Sequence, residues 1–153
     1  MKKTNKGFSM VELIIVIAIM AVLAGALAPA LIKYINKSRI STDIQTGQTI
    51  ATAITTALSN ETAYDKAPTL GKKGSPVAAS DLITSDEFGT EFTSALGQST
   101  VPNAKSKKDM KNTSFTSTTF GVVLSPTSNL VEVYLGDSLA SHKVYPDVGA
   151  NLK

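Results

Sequence analysis

The chain has no cysteine, no tryptophan and a single histidine among 153 residues. Without cysteine there can be neither a disulfide framework nor a thiolate metal site. One histidine without cysteine supports neither a zinc centre nor a Ser-His-Asp arrangement, so His142 reads as a strand-surface residue. No glycine-rich phosphate loop occurs, and nothing marks an enzyme or a resident cofactor. Acidic residues are missing from the start of the chain: Lys2, Lys3 and Lys6 all precede the first carboxylate, Glu12. With residues 1–7 set aside, 12 basic and 12 acidic side chains remain, so the sequence pI of about 9.1 belongs to the leading segment more than to the body. That is weak support for a nucleic-acid partner. Lys105, Lys107, Lys108 and Lys111, with Lys72 and Lys73, could attract phosphates or another anionic surface. No aromatics interleave with them, so stacking on single strands is not indicated and solvated loops are expected. Asp137 and Asp147 stand isolated in the C-terminal part. As a calcium site they are weak candidates, because calcium takes about six to eight oxygens; no metal is expected.

What is present in abundance is an apolar run. Residues 8–32 span 25 positions in which Glu12 is the only charged side chain. That length crosses a bilayer as a helix, and the three lysines ahead of it keep the N-terminus in the cytoplasm. Three readings compete. A cleaved secretory signal would have an apolar core of about 7–15 residues before an A-x-A-like site. The triplets Ala24-x-Ala26, Ala26-x-Ala28 and Ala28-x-Ala30 fit such a site, but the run is too long. A plain anchor explains the length and the lysines. It does not explain Glu12, whose burial at mid-membrane would cost about 2.5–3.5 kcal/mol. In the third reading the chain is cut between Gly7 and Phe8. The leader leaves, the apolar segment stays, and a free amine at Phe8 lies about one helical turn from Glu12. A charge in an apolar phase is tolerated when it is paired. Between packed identical helices, the carboxylate of one copy can meet the amine of the next and set their stagger, as buried polar groups set register in coiled coils.

The stretch "KGFSMVELIIVIAIMAVLAGALAPA" resembles the class III signal of type IV pilins and the related pseudopilins. The resemblance covers about 35 residues and rests on the basic leader, Gly7-Phe8, Ser9, Glu12 and the uninterrupted apolar run; Met10 stands where leucine is commoner. It implies that a prepilin peptidase cuts after Gly7 and methylates Phe8, and that Glu12 is needed for assembly. It implies a structural subunit of a type IV pilus or related surface filament, made in the cytoplasmic membrane and then displayed outside the cell. Its partners would be copies of itself and other pilins, the peptidase, an assembly platform and an ATPase, with nucleic acid not indicated. A pseudopilin of a type II secretion or competence system is the alternative within the family. A membrane-anchored extracellular binding module is the alternative outside it.

Beyond the apolar run, Pro29 and Gly25 predict a helix hinge, by a lost backbone bond and by weakened helix propensity. Residues 33–59 continue the helix in amphipathic form, with Ile40, Ile44, Gly47, Ala51, Ile54 and Leu58 at helical spacing. Residues 60–113 read as a variable connection, a loop over 60–79 and a short helix near 86–96. There Thr84-x-x-Glu87 suggests a capping box and Gly97 a stop. Residues 114–153 read as strands. Phe120, Val122 and Leu124 alternate, as do Val131, Val133 and Leu135. A hairpin connection lies between the two sets, and "SHKVYP" forms a short third strand. The expected fold is α+β: a long N-terminal helix, half membrane-embedded and half amphipathic, packed against a small antiparallel sheet, as in pilins.

Overall fold

The computed structural model describes residues 7–72, 75–111, 113–115, 117–136 and 140–153. The chain forms two compact units, Met1–Ile35 and Asn36–Lys153, each described by itself. One helix, α1 (Met10–Leu58), contributes to both.

In the first unit the aliphatic run is helical, and every residue from 7 to 35 is exposed. The helix continues unbroken through Gly25 and Pro29. Proline removes a single backbone bond, and the long-chain aliphatic neighbours favour helix strongly enough to carry it past that gap.

In the second unit α1 turns one face to a core. Ile40, Gly47, Ala51 and Ile54 are buried together with Ile50, Ala53 and Ala57, while Ile44 and Leu58 pack at the margin. The opposite face is rich in threonine. Its hydroxyls donate to carbonyls one turn back, as from Thr46 to Thr42 O at 3.0 Å and from Thr52 to Gln48 O at 2.9 Å. Gly47 lets the sheet approach closely, since a Cβ there would lie 2.7 Å from Val144 Cγ1.

The stretch expected to be loop contains a further helix, α2 (Glu61–Lys66), capped by the Asn60 side chain, which accepts from the Thr62 and Ala63 N–H groups. Six residues offer too little periodicity to stand out from a loop. Helix α3 (Glu87–Leu96) follows. Its cap is Asp86 rather than Thr84: the Asp86 carboxylate accepts from the Gly89 N–H at 2.9 Å and from the Thr84 hydroxyl at 2.5 Å. A capping box on Thr84 would have started the helix two residues too early. Gly97 closes α3 in the left-handed conformation, φ 71°.

Four strands form one antiparallel sheet in chain order: β1 (Val77–Ala78), β2 (Phe120–Ser125), β3 (Leu130–Leu135) and β4 (Lys143–Tyr145). The first went unread in the sequence because two residues cannot show alternation. Residues 126–128 turn β2 into β3, and Asn129 completes the turn at φ 49°. Register pairs Phe120 with Leu135, Val122 with Val133 and Leu124 with Val131. All six project from one face into the core shared with α1, Phe88, Phe92 and Leu82. On the other face Val123, Glu132 and Tyr134 are buried as well. There Tyr134 Oη donates to Glu132 Oε2 at 2.8 Å, and Lys143 Nζ lies 3.5 Å from Glu132 Oε1.

Candidate processing and assembly site

Gly7, Phe8, Ser9 and Glu12 lie at the start of α1. Glu12 turns back along its own chain. Its Oε2 accepts from the Ser9 N–H at 2.9 Å, Ser9 Oγ accepts from the Val11 N–H at 3.3 Å, and Ser9 O accepts from the Leu13 N–H at 3.2 Å. This is the reciprocal logic of a capping box, with serine at the cap and glutamate three residues on. A helix N-terminus also carries a partial positive charge that favours a carboxylate nearby. The S-x-x-E spacing was legible in "SMVE" as a helix start; the sequence reading gave Glu12 only an intermolecular task. Geometrically, Glu12 satisfies an orphan donor of its own helix, the N–H three residues before it.

Gly7 has open space around it, with nothing within 4 Å of where a Cβ would stand. Phe8 is 81% exposed, and Leu13, Ile17 and Leu23 are more than half exposed. An aliphatic helix surface in water is unfavourable by about 25 cal/mol per Å², so this surface needs a cover, either lipid or other helices. The segment is long and apolar enough to cross a membrane. Gly25, like Gly7, has nothing within 4 Å of its missing Cβ, and Pro29 lies on the same uncovered stretch of helix.

The weaker candidates lie elsewhere. Asp147 is an exposed loop residue, and Asp137 lies outside the described residues. Among the described residues no three histidine, aspartate or glutamate side chains converge on a metal-sized space. His142 is not on a strand surface: it is 1% exposed, with Nε2 3.2 Å from Asp109 Oδ2 and the Phe115 ring edge-on at 5.0 Å between centroids. A histidine so enclosed clamps the structure rather than meeting a substrate. Burial pushes the Asp109 carboxyl up. The Thr113 and Lys111 N–H groups and the His142 imidazole outweigh that and hold it below the usual carboxylate range. The lysines of the 105–111 loop are exposed, while its backbone is anchored. Asp109 Oδ1 accepts from the Lys111 N–H at 2.9 Å and the Thr113 N–H at 2.8 Å. Asp43, buried on α1, accepts from the Lys105 N–H at 2.9 Å, the Ser106 N–H at 2.7 Å and the Ser106 hydroxyl. Neither role was visible in the sequence: Asp43 meets donors 62 and 63 residues away, and the partner that Asp109 finds beyond its own turn, His142, is 33 residues away. Lys72 lies apart in a turn paired with Ser75, and Lys73 lies outside the described residues.

A family profile described as "Prokaryotic N-terminal methylation motif" matches residues 2–28. Over 97 residues the chain is 38% identical to the type IV major fimbrial protein FimA of Dichelobacter nodosus, covering 58% of this chain and 59% of that protein. Over 95 residues it is 37% identical to the type IV major alpha-pilin of Moraxella bovis, covering 60% of this chain and 55% of that protein. The chain thus spans somewhat more than half the length of these curated relatives. No solved structure matches it. Motif, relatives and the long helix on a small antiparallel sheet together support a type IV pilin family for this chain.

Proposed function

We propose that the chain is the structural subunit of a type IV pilus, cut after Gly7, methylated at Phe8 and polymerised through the apolar half of α1. The observation that carries this is the helix of residues 8–35, exposed along its whole length with one carboxylate near its start. A membrane covers such a surface before assembly, with the N-terminus inside; packed copies of the same helix cover it afterwards. Both relatives, a major fimbrial protein and a major pilin, favour a pilus subunit over a pseudopilin. Glu12 then has two tasks. In the single chain it caps the Ser9 N–H; in the filament it neutralises the Phe8 amine of a neighbour, a pairing that a carboxylate in an apolar phase requires. The peptidase acts on the exposed Gly7–Phe8 bond, and the platform and ATPase lift the subunit out of the membrane, with Gly25 and Pro29 as the bending point. No part of this requires the chain to be an enzyme.

The test is intact mass and N-terminal sequencing of protein sheared from cells, together with a Glu12→Leu strain. The expected result is a chain beginning at methylated Phe8. The variant should be inserted and cut as usual, yet leave at least about tenfold less surface filament. A start near Leu27 or Pro29 would mean ordinary signal cleavage, and an intact Met1 a plain anchor. Normal filaments from Glu12→Leu would end the pairing argument.

A further inference from the structure

The charges of residues 36–153 are segregated. At the beginning of this unit Lys37 and Arg39 flank Asn36 and Ile40 on α1. Asn36 Nδ2 donates to Lys108 O and Asp109 O at 3.5 and 3.4 Å, which brings the 105–111 loop and its four lysines to the same end. Asp43 and Asp109, which hold this loop, are buried and spent on backbone N–H groups; the C-terminal segment also meets it, where Asn151 O accepts from the Met110 N–H at 2.9 Å. Among the described residues Lys37, Arg39, Lys105, Lys107 and Lys111 enter no ion pair. The opposite end carries the reverse sign. Glu61 and Asp65 lie on α2; Asp86, Glu87 and Glu91 lie on α3, which is tied to the start of α2 by the Asn60–Glu91 hydrogen bond at 3.3 Å. Lys66 is the one cation on these two helices. Between the ends, α1 has no charged side chain except buried Asp43. The separation along the helix, from Asp43 or Arg39 to Leu58, is about 20–30 Å.

We infer that these two ends are a head-to-tail contact: the basic end of one copy of this chain docks on the acidic α2–α3 end of the next. This rests on the filament reading, which supplies each basic end with an acidic end at high local concentration. Three observations choose a second copy over a polyanion or an anionic membrane. The complementary surface is on the same chain. The two ends carry opposite charge: among the side chains named, six cations stand with two buried carboxylates and five carboxylates stand with one lysine. The chain beyond residue 7 is formally neutral, so it has no net attraction to a polyanion. The lysines are also pre-positioned, since two buried carboxylates hold their backbone before any partner arrives. An isolated exposed pair contributes little; several pairs in a fixed array contribute more, and a contact between ends rather than sides cannot close on itself in a dimer, so it propagates.

Two measurements test this on full-length protein in cells. The first is charge reversal, with Lys105→Glu, Lys107→Glu and Lys111→Glu at one end and Glu61→Lys, Glu87→Lys and Glu91→Lys at the other. Each set alone should lower surface filament about tenfold with normal cleavage and membrane level, and the two sets combined in one chain should restore it. A combined variant as defective as either set, or single sets with no defect, overturns the inference and leaves the filament reading intact. Recovery by added anionic lipid or DNA in place of the second set would assign the basic end to that partner and also overturn it. No filament from the unmodified chain overturns both. The second measurement uses a zero-length carbodiimide on sheared filaments, which joins a lysine amine to a carboxylate with loss of water. The ends are too far apart to be joined within one chain, so peptides linking residues 105–111 to α2 or α3 must come from two copies. Their absence under conditions that give other inter-copy links counts against the contact independently of any variant's folding.

Discussion

At the scale of single residues, carboxylates have the most consequential roles, and each meets backbone donors. Glu12 caps the Ser9 N–H, Asp43 holds Lys105 and Ser106, and Asp109 holds Lys111, Thr113 and His142. An unsatisfied buried donor costs about 1–3 kcal/mol. Asp109→Ala, which takes the acceptor from two part-buried N–H groups and the partner from a buried imidazole, should therefore destabilise the protein by about 1–3 kcal/mol. Asp109→Asn keeps an acceptor oxygen and should lose clearly less. Thermal unfolding of the detergent-solubilised chain compares the two directly, and equal losses would mean that charge, not the backbone bonds, is what matters there. The cap that Glu12 makes on Ser9 was legible in the sequence because its signal is local. Asp43 and Asp109 were not, because an aspartate on a helix and an aspartate among lysines look like solvent-facing residues until the fold places donors around them.

At the scale of elements, caps and small residues decide where helices start and how closely they pack. A Cβ at Gly89 would lie 2.1 Å from Thr84 O and 2.6 Å from Thr84 N, both backbone atoms that cannot move aside cheaply. Overpacking typically costs about 1–3 kcal/mol, so Gly89→Ala should destabilise by the upper part of that range and free the turn before α3. Hydrogen exchange at the amides of α3 would report it, and unchanged protection would refute it. Gly25→Ala is the contrasting case. With open space around Gly25, the helix should gain about 0.5–1 kcal/mol and the fold should not change. Under the hinge proposal filament yield should nonetheless fall, because the bending point stiffens; undiminished filaments would remove Gly25 from the hinge. The unbroken course of α1 through Pro29 belongs here too. Sequence rules mark proline as a weak point, but whether a weak point opens depends on the forces on the helix.

At the scale of the whole molecule, acid should be the condition that loosens the body. Two carboxyls are held below their usual range. At Asp86 the Thr84 hydroxyl acts first and the Gly89 N–H next; at Asp109 the hydrogen bonds overcome burial. A carboxyl whose folded value is depressed adds stability at pH above its unfolded value, 3.8 for aspartate, and that contribution is lost as pH falls through the folded value. The unfolding midpoint should thus carry the full contribution of these groups, unchanged with pH, between pH 5 and pH 7, and decline steadily below about pH 4. Removing both groups with Asp86→Ala and Asp109→Asn should flatten that decline in a calorimetric pH series. A midpoint that falls as steeply in the double variant would place the acid sensitivity elsewhere.

What the sequence determined by itself was what is written in a contiguous stretch: the uncovered apolar helix, the S-x-x-E cap at its start, the core stripe on α1, and the alternation of β2 and β3. Periodicity and local motifs need only neighbours along the chain, so they survive in a one-dimensional reading. Tertiary structure alone decided the pieces built from distant parts. It enclosed His142 against Asp109 and Phe115, paired a two-residue strand with β2, turned the lysine loop into a fixed surface and gathered opposite charges at opposite ends of residues 36–153. The reason is that burial and long-range hydrogen-bond partners are properties of proximity in space, whereas caps such as Glu12 on the Ser9 N–H are written in local spacing.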